Sequence, residues 1–376
     1  MNPVISLVCR ILARLFKVKL YYVSKYKGSK KWVFISYIPD VFYKLNNEDY
    51  MRGHQSRWEM VEMVRVFNNL GYNVYVSSCS NPKLPSKEFD LVFGVEPGFV
   101  YACKKYPNAK KVYYATGAFH GHQNSMIEKR TNEFNRIHNC SLPYARLVKV
   151  YNQLDICDEI LQIGSQYTID TYPEQYKKKI SIIHQSNSLS GIGKIDICYS
   201  EENEYIWIGG GGEILKGLDL VIDYFIQHSS KILHVIGFIE DDFKKQYRGH
   251  VGKNVLFHGF MNLASNEFKS IARRCNYIVY PSCTEAGCPG AVINAMFYGL
   301  IPIVSKWAAP DEIDKLGYML NDLSVESINR AIIESSSLDQ KAVLYKKQCC
   351  HNYIKETFNI QRFSKEFEEF AQKTLI

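Results

Sequence analysis

Short apolar runs, parted by polar and glycine-containing turns, recur along the chain. Trp32–Ile38, Asn73–Ser77, Asp90–Val95, Lys111–Ala115, Glu159–Ile163 and Lys179–His184 are rich in β-branched and aromatic residues and predict buried strands. Gln55–Leu70 carries its apolar residues at helical spacing and is closed by Gly71. A second series begins at Tyr205–Ile208 and continues through Lys231–Ile236, Asn254–Phe257, Asn276–Tyr280 and Leu300–Val304, with helical sequence between. Pro289 and Gly290 open one of these helices and Gly299 ends it. Residues 339–354 and 361–374 predict two further helices. Strand–helix alternation of this kind predicts an α/β fold with parallel sheets. The two series predict two Rossmann-like domains, 29–185 and 204–358, joined by a Ser-, Gly- and Asn-rich linker over 186–203.

The first residues have a different pattern. Val4, Leu7, Val8, Ile11, Leu12, Leu15 and Phe16 follow i, i+3, i+4 spacing, with Arg10, Arg14 and Lys17 on the other side. Two arginines interrupt the apolar run, which argues against a membrane span. Charge sharpens this reading. The 46 basic side chains outnumber the 38 acidic ones by eight, and residues 1–31 hold eight basic side chains and no acid. The excess therefore belongs to one end of the chain and not to a nucleic-acid-binding face. A basic amphipathic helix with lysines beyond it predicts association of segment 1–28 with an anionic membrane surface. The alternative is a helix packed on the protein's own surface. The eleven cysteines show no paired metal-ligand spacing. They predict free thiols in a reducing, cytoplasmic setting, and no metal or other cofactor.

Candidate chemistry gathers where the predicted strands end. After Asn276–Tyr280 comes Pro281-Ser-Cys-Thr-Glu285, then the helix opening at Gly290-Ala291 with Asn294 on its first turns. A helix N-terminus with small residues around it suits a phosphate, because its free N–H groups and its dipole point at the anion. After Tyr205–Ile208 comes Gly209-Gly210-Gly211-Gly212-Glu-Ile-Leu-Lys216-Gly217-Leu218-Asp219. The glycines let backbone approach a ligand closely, although the Lys is not in the frame of a Walker loop. Gly237 follows the next strand. In the first series, Lys111–Ala115 leads into Thr116-Gly-Ala-Phe-His120-Gly-His122. Arg52-Gly-His54 precedes the helix at Gln55, and Arg130 follows Glu128 on the helix after His122. For each polar side chain the plainer reading is a solvated loop or helix face.

Two of these stretches resemble retaining GT-B glycosyltransferases of the E-x7-E type. Pro281-Ser282, Glu285, Asn294-Ala295-Met296, Gly299 and Pro302 follow that family's pattern around its two glutamates, but Asn294 stands in place of the second one. The spacing is also one residue longer. Lys216-Gly217-Leu218-Asp219 matches the family's donor loop. The arginine that usually assists the lysine would fall near Gly211 and is missing. The resemblance implies the GT-B fold, with two domains facing a cleft and a final helix, 359–376, crossing back to the first. It implies a metal-independent transfer, with retention, of a sugar from a nucleotide diphosphate-sugar to an acceptor hydroxyl. Catalytic positions would be His120, Glu285 and Lys216. The donor would be held by Gly210, Gly211, Lys216, Gly237, Glu285, Gly290, Ala291 and Asn294, and the acceptor side formed by His54, His122 and Arg130.

With the membrane-facing first segment, these expectations point to a lipid-linked or oligosaccharide acceptor in cell-surface polysaccharide or glycolipid assembly. Two other functions fit parts of the pattern. A non-catalytic, membrane-tethered sugar-nucleotide-binding subunit would explain Asn294 and the missing arginine. A sugar-nucleotide epimerase would need a second carboxylate beside Glu285.

Overall fold

A computed structural model describes residues 20–189 and 191–375. The predicted amphipathic helix over 2–17 lies outside the described residues. Among the described residues, no helix is long and apolar enough to cross a membrane.

The first domain is built on a seven-stranded sheet: β1 (Tyr21–Ser24), β2 (Trp32–Tyr37), β3 (Asn73–Ser78), β4 (Leu91–Gly94), β5 (Lys110–Ala115), β6 (Glu159–Ile163) and β7 (Ile180–Ile183). Their order is β1-β3-β2-β4-β5-β6-β7. All neighbours run parallel except β1, which pairs antiparallel with β3 from Tyr21↔Ser77 to Ser24↔Val74. The second sheet contains β8 (Glu204–Ile208), β9 (Ile232–Ile236), β10 (Val255–Gly259), β11 (Cys275–Tyr280), β12 (Ile301–Ser305) and β13 (Tyr318–Leu320). Its order is β10-β9-β8-β11-β12-β13, parallel throughout. Helices cover both faces, so central strands such as β8 and β11 are buried along their whole length.

The helices follow from the same patterning. Helix α1 (Ser56–Asn69) buries Met60, Met63, Val64 and Phe67 against the first sheet. Helix α2 (His120–His138) starts just beyond β5, and α3 (Leu218–Gln227) just beyond the Lys216 loop. Helix α4 (Gly290–Phe297) starts behind Glu285, and α5 (Gln340–Thr357) packs on it. The chain then returns to the first domain as α6 (Ile360–Leu375). Phe363, Phe367 and Ala371 make its buried stripe, and the Phe367 ring meets Phe67 edge-on at 5.3 Å and Phe93 at 5.6 Å.

Several stretches differ from the sequence expectation. The segment read as membrane-associating ends in β1, a strand of the first sheet. The loop before His54 holds a 3-10 turn, Pro39–Tyr43, and a short helix, Glu48–Arg52. The Ser- and Asn-rich connection does not hang free. Ser186 donates from its backbone and its hydroxyl to Glu59 at 2.6 and 3.0 Å, and the Asn187 N–H donates to the Phe358 carbonyl at 3.0 Å. Both crossings between the domains are thus tied together. A charged cluster lies beside them: His184 meets Asp311 at 2.9 Å and Glu366 at 3.1 Å. These carboxylates raise the imidazole pKa to about 9 against the opposing effect of burial.

Candidate active site

In the second sheet the strand order reverses between β8 and β11. A crevice opens at such a point, beyond the carboxyl ends of the two strands, because the loops leave in opposite directions. The Lys216 loop follows β8 and the Glu285 loop follows β11, so both motifs arrive there by topology. They are also locked to each other. Cys283 N–H donates to the Leu215 carbonyl at 2.8 Å, and the Ser282 hydroxyl to the same carbonyl at 3.1 Å. Gly217 has φ +70°, and a Cβ there would come within 2.3 Å of the Pro281 carbonyl oxygen. Only glycine permits this nesting.

The first domain faces this crevice with the ends of β4 and β5. Between the domains lies a cavity of about 250 Å³. Lys216, Thr284 and Glu285 line one wall; Glu96, His120 and Gln153 stand among the residues of the other, with Arg146 at the rim. Glu285 accepts hydrogen bonds from Tyr280 Oη at 3.1 Å and Ser282 Oγ at 3.2 Å. Burial raises its pKa, while Lys216 and these two donors pull it back. Lys216 Nζ donates to the Gly210 carbonyl at 3.0 Å. Burial lowers its pKa, with Glu285 opposing. The pair therefore stands in a poorly hydrated corner, where electrostatic interactions are strong. Thr284 Oγ1 is buried there with no hydrogen-bond partner among the described residues. His120 sits at the first turn of α2, its ring 4.4 Å from that of Phe119. Burial lowers its pKa, with Glu96 and Asp155 opposing.

The other predicted positions divide. Gly210 meets nothing within 4 Å of where its Cβ would stand, and Gly211 turns beside it with φ +65°. Gly237 serves the backbone: a Cβ there would lie 1.4 Å from the Gly209 carbonyl oxygen. Gly290 and Ala291, like Gly210, Gly211 and Gly237, are not in the cavity lining, and Gln55 lies 3.6 Å from where a Gly290 Cβ would be. Asn294 is buried, and its side-chain amide donates to Ser188 Oγ at 3.1 Å. It fastens the connection between the domains.

On the acceptor side the structure departs further from expectation. His54 is exposed at the start of α1, bonded to Ser56 at 2.8 Å, and does not line the cavity. The His122 ring packs on Trp307 at 4.4 Å. Arg130 is buried and pairs with Asp219 at 2.5 Å and with Glu133. The helical period turns Arg130 away from the crevice and onto the N-terminus of α3. The Asp of the Lys-Gly-x-Asp motif is therefore a bridge between the domains. Burial pushes its carboxyl pKa up and Arg130 pulls it part of the way back.

Glu96, Arg146, Gln153 and Tyr172 line the cavity without having been singled out in the sequence. Glu96 stands at the end of β4, a place where ligands gather in α/β sheets, and that position was its one legible signal. A metal cluster is geometrically conceivable elsewhere. Glu204, His234 and Cys275 have ligand atoms within 4.8 Å of one another. Glu204, however, already binds Arg274 at 3.0 Å and His234 at 2.7 Å, and His234 binds His258 at 2.8 Å, so this network is satisfied without an ion.

Comparison with known proteins bears on the fold and on the second domain. Residues 203–337 match the family model described as Glycosyl transferases group 1. No curated protein sequence matches the chain. Among solved structures, a glycosyltransferase from Rickettsia africae is similar over 92% of this chain and 99% of its own, with TM-score 0.61 and 11% identity. Anabaena HepE, solved in complex with UDP and glucose, is similar over 91% of this chain and 99% of its own, with TM-score 0.55 and 12% identity. TarM is similar over 76% of this chain, with TM-score 0.53 and 14% identity. The match covers 54% of TarM, about half its length. The chain has the GT-B fold, and its second domain carries the match to Glycosyl transferases group 1.

Proposed function

We propose that this protein transfers a sugar from a nucleotide diphosphate-sugar to an acceptor hydroxyl, with retention and without a metal. The observation that carries the reading is one cavity, at the switch point of the second sheet, with Lys216 and Glu285 on one wall and His120 on the other. The family match over the second domain and the UDP and glucose of the HepE complex support the donor class.

The physical task is to hold negative charge on the departing diphosphate and positive charge on the sugar ring. Lys216 serves the first. Glu285, fixed by Tyr280 and Ser282, accepts hydrogen bonds from sugar hydroxyls and faces the developing ring cation. His120 meets the sugar from the opposite domain with ring nitrogens that can accept or donate a proton. The acceptor enters over the first domain, past Glu96 and Gln153. Segment 1–28, with six basic side chains and no acid, holds the protein at the cytoplasmic face of an anionic membrane, where a lipid-linked or oligosaccharide acceptor for polysaccharide or glycolipid assembly would be found.

Binding and slow hydrolysis across UDP-, GDP- and ADP-sugars test the reading. Wild type should select one donor, and Glu285→Gln should keep nucleotide affinity within about threefold while turnover falls roughly 100-fold or more. Nucleotide binding with no sugar preference, unchanged in the variant, would favour the binding-subunit function instead. Glu96 gives a second reading its basis, since two carboxylates share the cavity. An epimerised sugar formed from donor alone would decide for an epimerase.

A further inference from the structure

The cavity has a second cation that comes from the other domain. Arg146 lies in the loop after α2, and its Nη1 lies 3.4 Å from the Gly210 carbonyl, the group that also accepts from Lys216 Nζ at 3.0 Å. Two cations thus share one backbone oxygen, and neither forms an ion pair with a carboxylate among the described residues. Proximity to Arg146 adds to the lowering of the Lys216 pKa. Such an arrangement is unfavourable by itself and becomes favourable when an anion sits between the two charges.

Three features show that the placement is built. Arg146 has φ +66°, the left-handed region that a non-glycine residue adopts at a cost. The loop is pinned to the first turns of α2: Gln123 donates to the Arg146 carbonyl at 3.2 Å, and Asn124 exchanges hydrogen bonds with Val148 at 2.9 Å in both directions. Gly212 leaves room for the side chain, since a Cβ there would stand 2.6 Å from Arg146 Cδ. One of the four glycines therefore both turns the backbone, with φ +73°, and leaves space for an arginine from the facing domain.

We propose that Arg146 is a diphosphate clamp supplied by the first domain, which with Lys216 closes on the donor from both sides of the cleft. This rests on the glycosyltransferase reading above. A guanidinium presents two parallel N–H donors to a phosphate, which a lysine does not. Its stem belongs to the loop held by the His120 helix, so the contact that neutralises the leaving group also brings α2 onto the sugar. The diphosphate gains charge as the glycosidic bond breaks, so the arginine contributes more to the transition state than to binding.

The test uses calorimetric titration of the full chain with UDP, GDP and ADP and with the corresponding monophosphates. For the nucleotide that wild type selects, Arg146→Ala should weaken diphosphate binding by about 10- to 100-fold and monophosphate binding by less than about threefold. Arg146→Lys should recover only part of the loss. Lys149→Ala, an exposed change in the same loop outside the cavity lining, should bind as wild type does. Turnover of the matching donor should fall further than its KM rises in Arg146→Ala. Diphosphate affinity within twofold of wild type in Arg146→Ala would overturn the clamp and leave the transferase intact. Absence of nucleotide binding in wild type would remove both.

Discussion

At the scale of single residues, the glycines at the carboxyl ends of β8 and β9 do different work. Gly210 stands in open space at the cavity edge, while Gly237 has φ +128° and lies against the Gly209 carbonyl. Gly237→Ala must therefore move backbone in two strand ends, and should destabilise the protein by about 3 kcal/mol or prevent folding. Gly210→Ala should fold with stability within about 1 kcal/mol of wild type and act on nucleotide affinity alone. Urea denaturation of the two variants would check the contrast, and equal stabilities would refute it. Sequence showed glycines after both strands but could not rank them, because the carbonyl that forbids a Cβ at Gly237 lies at the end of another strand. The same limit applies to Asn294, whose partner Ser188 is distant in sequence.

At the scale of elements, helix α1 carries a carboxylate into the apolar layer. Glu59 is buried, and burial lifts its pKa to about 7 against the two hydrogen bonds from Ser186. The folded state holds the proton more tightly than the unfolded chain, where a glutamate titrates at its ordinary 4.5. Stability from this group is thus complete below about pH 4.5 and declines as pH rises to about 7. Glu59→Gln keeps an acceptor for Ser186 and removes the titration. It should be more stable than wild type at pH 8, by an amount on the order of 1–3 kcal/mol, and the gain should shrink at pH 5. Parallel pH profiles of denaturation would count against this assignment. The element itself was legible, since Met60, Met63, Val64 and Phe67 keep helical spacing. Strand β1 was not, because its Tyr21-Tyr-Val-Ser follows and precedes basic residues and gains its identity only by pairing with β3.

At the scale of the whole molecule, closure of the cleft is held by a buried ion pair. Arg130 belongs to the first domain and Asp219 to the second, and their side chains are 4% and 5% exposed, so the pair is isolated from water. Removing Asp219 leaves buried Arg130 with only the partly exposed Glu133 as partner, and breaking such a buried pair typically costs about 3–5 kcal/mol. Asp219→Ala should lose stability of that order and lower donor turnover. The double change Arg130→Met with Asp219→Leu should recover most of the stability, because an apolar pair needs no desolvation. Chemical denaturation of both variants, beside their turnover, would check this. A double variant no more stable than Asp219→Ala would show that the pair is worth its desolvation cost.

The sequence by itself determined most strands of the two sheets and the loops at their carboxyl ends, while the family resemblance singled out Lys216 and Glu285. Those features depend on local pattern: apolar periodicity, glycine at strand ends, and a helix opened by Pro289 and Gly290. Only the tertiary structure decided which face of α2 meets the cleft, turning His120 into the cavity and Arg130 onto Asp219. It alone brought Glu96 and Arg146 to the same cavity, and it showed that the connection near residue 186 is packed. The physical reason is common to all three. A side chain's partner across a domain boundary is fixed by how two surfaces meet, and no spacing within one segment encodes that.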